Sequence, residues 1–136
     1  MDQFLKIHSN HWREMLADVT IRAPIEACGL VAGQNNRSTK VYPLTNELQS
    51  PVRFQIAASE QIDAFMEIER NGWDLLAIYH SHPTGPDRPS ETDLAEFAYP
   101  ETLYLIWHFA NQSWDCKAFR ITENGDVEVP IQLING

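Results

Sequence analysis

Two histidines and an aspartate near the middle of the chain have the types and spacing to hold a metal ion. Residues 75–93 read LLAIYHSHPTGPDRPSETD. An apolar run ends in His80-Ser81-His82, a loop bearing Pro83, Pro86 and Pro89 follows, and Ser90 and Asp93 close the stretch. Side chains two apart on a strand point to the same face, so His80 and His82 can converge without distorting the backbone, while Ser81 points away. A catalytic zinc ion takes three protein ligands and keeps a fourth position open, and Asp93 supplies the third ligand. The prolines lower the entropy lost in fixing the loop that returns Asp93 to the strand end. The same residues also have a structural reading. Ser90-x-x-Asp93 has the form of a capping box, with Ser90 opening a short helix that runs to about Phe97. Two histidines on a buried strand can likewise be satisfied core residues. The readings are compatible, because a helix start turns its polar groups toward whatever lies at its mouth.

The elements that must position these residues follow from periodicity. Residues 73–82, nearly all apolar, are expected to form a central strand covered on both faces. Trp12, Met15, Leu16 and Val19 have helical spacing and place a helix over residues 3–19, broken by Arg22-Ala23-Pro24. His8 and His11 lie one turn apart on it; that spacing can share a metal, but with no third ligand nearby they read as polar-face residues. Residues 28–32 and 39–44 form a hairpin about Gly33-Gln34-Asn35-Asn36. Glu26, just before it, reads on its own as an exposed acid. Residues 45–52 are a polar loop, residues 53–56 a short strand, and residues 57–71 a second amphipathic helix ended by Asn71-Gly72. Strands are expected at residues 103–109, 114–121 and 127–133, the last two joined by the turn Glu123-Asn124-Gly125-Asp126. The order is helix, two strands, helix, strand, short helix, three strands. It describes a mixed sheet with helices packed on it, an α/β or α+β sandwich.

With 136 residues the chain suits one domain, residues 1–136, and is too short for two ordinary ones. Its net charge of −9 gives a nucleic-acid partner no electrostatic help. No apolar run approaches the ~20 residues of a membrane span, and the first residues lack the features of a signal peptide, so a cytoplasmic location is expected. Cys28 and Cys116 then read as free thiols packing as small hydrophobes. Trp107, His108 and Trp114 read as core residues of the late strands, and Asp87 and Arg88 as solvated or paired.

His80-Ser81-His82-Pro83, Ser90 after the seven residues 83–89, and Asp93 two residues later resemble the motif of the JAMM/MPN (Mov34/PAD-1) zinc metalloproteases. Residues 24–33, PIEACGLVAG, are similar to the upstream segment that carries the family's glutamate in its bacterial branch. The resemblance runs from about residue 5 to residue 129. It implies the cytidine-deaminase-like JAMM/MPN fold, a central mixed β-sheet flanked by helices. It implies one catalytic Zn²⁺ held by His80, His82 and Asp93. Glu26 would take the proton of the attacking water and pass it to the leaving amine, and Ser90 would donate to the oxyanion. The implied activity is hydrolysis of amide or isopeptide bonds after the C-terminal Gly-Gly tail of a ubiquitin-like protein. The short chain, without long insertions, is similar to bacterial enzymes that act on sulfur-carrier proteins, including removal of a C-terminal cysteine. Such a tail must enter extended, and residues 45–54 are expected to pair with it as an added strand. The alternative is a non-catalytic scaffold of the same fold that binds a ubiquitin-like partner; the complete set of metal ligands argues against it. A zinc deaminase would need His-x-Glu and Pro-Cys-x-x-Cys, and neither is present. No nucleic-acid or membrane partner is implied.

Overall fold

The computed structural model describes residues 4–91, 93 and 101–136 of the chain. Strand β1 (Leu5–His8) leads into helix α1 (Ser9–Arg22), then β2 (Cys28–Gln34), β3 (Arg37–Leu44), helix α2 (Ala58–Arg70) and β4 (Asp74–His82). Strands β5 (Leu103–Ala110), β6 (Ser113–Thr122), β7 (Gly125–Val129) and β8 (Ile131–Ile134) complete the described elements. The eight strands form one mixed sheet in the order β7-β6-β5-β4-β2-β3-β1-β8. The expected sheet flanked by helices is present.

Three elements differ from the sequence expectation. The helix expected over residues 3–19 begins only at Ser9, because Leu5 and Ile7 are buried in alternation with Lys6 and His8, the period of a strand. The strand expected at residues 53–56 is reduced to a single antiparallel bridge between Asn46 and Ile56. The return strand expected over residues 127–133 is divided at Pro130, which has no N–H to give to a ladder. Residues before it pair with β6, and residues after it pair in parallel with β1 at the far edge. Val129 and Ile131 therefore belong to opposite edges of the sheet, yet their Cα atoms can be no more than about 7 Å apart. The sheet must curl until its edges meet there. The short helix expected from Ser90 to about Phe97 falls mostly outside the described residues.

The two helices cover opposite faces. Met15 and Val19 of α1 are buried with Leu5, Ile7, Tyr79 and Trp107, and Trp12 lies against the Trp107 ring at 4.7 Å between centroids. Ala64 and Ile68 of α2 are buried on the other side, where Ala64 packs with Leu30, Ile78 and Tyr104. Gly72, at φ 69°, stops α2 in the left-handed conformation that glycine takes without strain. Alternation along β4 thus sends Ala77 and Tyr79 toward α1 and Ile78 toward α2. No helix among the described residues is long and apolar enough to cross a membrane.

One half-buried network locks β2 to β4 on the α1 side. The Tyr79 hydroxyl donates to Asp18 at 2.6 Å. Arg22 donates to the same carboxylate, to the Cys28 carbonyl at 2.8 Å and to the Leu44 carbonyl. Tyr79 reaches Asp18 because Gly29 leaves room for its ring: a Cβ at Gly29 would collide with that ring and with the Tyr42 carbonyl. Gly29→Ala should therefore destabilise the protein by about 1–3 kcal/mol through overpacking. Urea denaturation checks this, and a midpoint unchanged from the parent would contradict it.

Candidate metal centre

The pairing of β2 with β4 decides where the candidate residues meet. These strands are antiparallel, and Cys28 lies opposite His80. Continued past the end of the ladder, that register places Ala27 opposite Ser81 and Glu26 opposite His82. The hydrogen bonds agree: Ser81 N–H donates to the Ala27 carbonyl at 3.0 Å, and Ala27 N–H donates to Ser81 Oγ at 2.8 Å. Ser81, fully buried, is turned away from the histidines as expected, and it holds the segment before β2 that carries Glu26. Glu26 is 4% exposed, which corrects its reading as an exposed acid near a helix end. Its sequence neighbours do not reveal this burial, which comes from the pairing of β2 with β4, more than fifty positions away.

His80 Nε2, His82 Nε2 and Asp93 Oδ2 form a nearly equilateral triangle with sides of 3.0, 3.1 and 3.3 Å. Bonds of ~2.0–2.1 Å from a tetrahedral zinc ion would separate neighbouring ligand atoms by about 3.3–3.4 Å, so the spacing fits one small cation. The donor set also fits. His82 Nδ1 lies 2.7 Å from the Pro86 carbonyl, which can only accept, so the proton sits on Nδ1 and Nε2 presents its lone pair to the triangle. Burial holds the His80 imidazole below its ordinary pKa, in the neutral form that ligates metals. His80 Nδ1 is buried and has no hydrogen-bond partner among the described residues. Asp93 combines a corner of this triangle with a place in a capping box. Ser90 N–H donates to Asp93 Oδ2 at 2.7 Å, and Asp93 N–H donates to Ser90 Oγ at 3.0 Å, the reciprocal pair of a capping box.

Glu26, His80 and His82 each bring a ligand-type atom within 4.8 Å of the others, so the carboxyl of Glu26 belongs to the same cluster. Burial pushes that carboxyl up to about 8; His82 opposes the shift and the Asp93 carboxylate reinforces it. A cation among these residues would act in the opposite direction. The arrangement can hold a divalent metal and leave a buried carboxyl beside it.

Residues 45–57 form the other wall. Glu47 N–H donates to the Gln55 carbonyl at 2.8 Å and Ala57 N–H to the Thr45 carbonyl at 3.1 Å, so the segment is a small hairpin and not an open loop. Phe54 stacks on the His80 ring at 4.4 Å and 25°. A groove of about 470 Å³ runs beside it, lined by Leu48, Phe54, Ile56, Ile78 and Tyr104, with His80 and Asp93 at its floor. Residues 83–89 are tied to β6 by Lys117, which donates to Asp87, while Arg88 lies 3.9 Å from Asp126. Asp87 and Arg88 are thus paired, as expected.

The remaining candidates stay apart from this site. His8 Nδ1 is 2.8 Å from the Asn135 carbonyl, and His11 Nδ1 is 2.7 Å from Ser38 Oγ, with no carboxylate or thiol joining them in a metal cluster among the described residues. Cys28 and Cys116 are free and buried, and burial pushes the Cys28 thiol up to about 12 and the Cys116 thiol well above its ordinary value. Trp107 is fully buried in the core, as expected. Sequence reasoning did not single out Asn46 or Phe54; the polar composition of residues 45–52 concealed a segment whose partners lie elsewhere in the chain.

The family described as prokaryotic homologs of the JAB domain matches residues 8–122. The chain is 30% identical over 117 residues to a desampylase of Pyrococcus furiosus, a match covering 86% of this chain and 81% of that one. It is 26% identical over 133 residues to the CysO-cysteine peptidase of Mycobacterium tuberculosis strain H37Rv, covering 96% and 91% of the two chains. The solution structure of a protein from Desulfitobacterium hafniense superposes with a TM-score of 0.85 at 36% identity, over 96% of this chain and 93% of the other.

Removing the Ser81 hydroxyl should leave the buried Ala27 N–H unpaired. Ser81→Ala is expected to lower stability by about 1–3 kcal/mol, and Ser81→Thr to recover most of it. Equilibrium unfolding of the two variants provides the check; equal stability of Ser81→Ala and the parent would contradict the assignment.

Proposed function

Because this chain belongs to the family of prokaryotic homologs of the JAB domain, we propose that it is a zinc-dependent metallopeptidase. Residues 1–136 would act as one catalytic domain that hydrolyses amide or isopeptide bonds at the C-terminal tail of a ubiquitin-like sulfur-carrier protein. The observation that carries this reading is the triangle of His80, His82 and Asp93, with sides of 3.0–3.3 Å, beside the buried carboxyl of Glu26. The desampylase and the CysO-cysteine peptidase among its relatives support a conjugate of this kind as substrate.

His80, His82 and Asp93 would hold the zinc ion. Bound there, zinc supplies Lewis-acid polarisation of the scissile carbonyl and makes a water molecule more acidic. Glu26 accepts the proton of the attacking water and delivers it to the departing amine. Ser90 Oγ already accepts the Asp93 N–H, so its own proton is left to donate to the carbonyl oxygen as negative charge builds there. The Pro86 carbonyl keeps His82 in the tautomer that faces inward.

The extended tail would lie in the groove along residues 54–56. Gln55 and Ala57 spend backbone groups on Glu47 and Thr45, so strand alternation turns those of Phe54 and Ile56 the other way, toward an added strand. This moves the pairing edge from the whole of residues 45–54 to their end. Glycine residues at the end of the tail suit a passage bounded by the Phe54 ring stacked on His80. The enzyme would act in the cytoplasm, and its net charge of −9 gives a nucleic-acid partner no electrostatic help.

Assays use sulfur-carrier conjugates with and without a chelator, alongside zinc content. Glu26→Gln should retain one zinc ion per chain and lose about 10²–10⁴-fold in kcat. His82→Ala should lose both zinc and turnover. Near-normal turnover in Glu26→Gln would remove the base assignment. Ser90→Ala should keep zinc and lose about 10²–10³-fold in kcat, the usual cost of one oxyanion donor; a fall confined to KM would contradict that role.

A further inference from the structure

We infer that Asn46 is the positioning residue for the Glu26 carboxyl and that it makes the groove wall and the base move as one body. The inference rests on the reading of Glu26 as the base. Asn46 is 3% exposed and uses all the hydrogen-bonding capacity of its amide. Its Nδ2 donates to the Glu26 carbonyl and to the Arg53 carbonyl, each at 3.0 Å. Its Oδ1 accepts from Leu48 N–H at 3.0 Å and from Gln55 N–H at 3.1 Å. Two carbonyls on one side and two N–H groups on the other allow only one orientation of the amide.

The consequence is a direct mechanical link. Glu26 lies two residues before Cys28, the first paired residue of β2, so the sheet alone does not fix it. Its carbonyl is held by Asn46, and its N–H donates to the Ser50 carbonyl at 2.9 Å. Both backbone groups of the base are therefore held by the hairpin of residues 45–57. Through the Arg53 carbonyl and the Gln55 N–H, the same asparagine grips both neighbours of Phe54, which covers His80. A tail pressing on the groove wall beside Phe54 would act on Glu26 through the Asn46 side chain, with the Ser50 carbonyl as the second tie to the hairpin. A shift of about 1 Å in a reacting group can cost about 10²-fold in rate, so this link is large enough to matter.

The test is a double-mutant cycle on a ubiquitin-fold sulfur-carrier protein joined through its C-terminal carboxyl to a lysine-bearing fluorescent peptide. Asn46→Asp keeps the acceptor for Leu48 and Gln55 and removes the donor to Glu26 and Arg53. It is expected to retain one zinc ion per chain and to speed amide hydrogen exchange at Glu26 N–H at least about tenfold. Its kcat should fall about 30- to 100-fold, with KM changing less than about threefold. In a Glu26→Gln background the same substitution should change kcat by less than about twofold, because its effect is exerted through Glu26. An equal fall in both backgrounds, loss of zinc, or an unchanged kcat would overturn the assignment of Asn46 while leaving the base reading intact. Near-normal turnover in Glu26→Gln alone would overturn both. If Asn46→Asp does not fold, Asn46→Ser enters the same cycle with the same expected outcomes.

Discussion

The antiparallel pairing of β2 with β4 is the interaction on which the rest of this structure depends. It sets Cys28 opposite His80, and by continuation sets Glu26 beside His82, although the two are 56 positions apart in the chain. A slip of one residue would send Glu26 to the opposite face of the sheet. Several buried contacts oppose such a slip. Gly29 admits the Tyr79 ring, Arg22 and Asp18 tie Tyr79 to the carbonyls of β2 and β3, and Ser81 closes the end of the ladder. These contacts lie on the α1 side or at the strand ends, and the candidate metal ligands His80 and His82 lie on the α2 side. The scaffold and the chemistry thus occupy opposite faces of the same two strands.

That division explains how polar groups are tolerated at the centre of the fold. His80 is fully buried, and His82 and Glu26 are each 4% exposed. Gathering two imidazoles and two carboxyl groups out of water costs several kcal/mol for each charge unless a counter-charge is present. The hydrogen bonds to Asp93 from Ser90, and from His82 to Pro86, meet part of that cost. A divalent cation held by His80 Nε2, His82 Nε2 and Asp93 Oδ2, which lie 3.0–3.3 Å apart, would meet the remainder. The prolines of residues 83–89 and the Lys117–Asp87 pair restrict the loop that leads to Asp93, and Phe54 covers the His80 ring from the groove side.

Much of the site was legible in the sequence because its signals are local. His80 and His82 sit on one strand face by period alone, and Ser90 and Asp93 declare a helix start by their spacing. Central strands β4 and β5 were legible as apolar runs. Glu26 was not legible from its neighbours; it stood out only through the resemblance of residues 24–33 to a known segment. Residues 45–54 stood out only as a segment to pair with a tail; the particular contacts of Asn46 and Phe54 were not legible, since nothing in a polar stretch reveals partners as distant as Glu26 and His80. The same limit produced the errors in the fold. Leu5 and Ile7 fit a helix until a strand at the far end of the chain is known to pair beside them. Residues 127–133 look like one strand until Pro130 is seen to divide two edges of a curled sheet.

The central claim is that one metal ion is held by His80, His82 and Asp93, with Glu26 next to it and not bound to it. Anomalous diffraction at the zinc edge from crystals of the zinc-loaded protein tests this most directly. The expected result is a single peak with two imidazole nitrogens and one Asp93 oxygen at ~2.0–2.2 Å, and a fourth, non-protein oxygen within hydrogen-bond reach of the Glu26 carboxyl. Direct coordination by Glu26 in place of Asp93, or a zinc peak elsewhere in the molecule, would contradict the account.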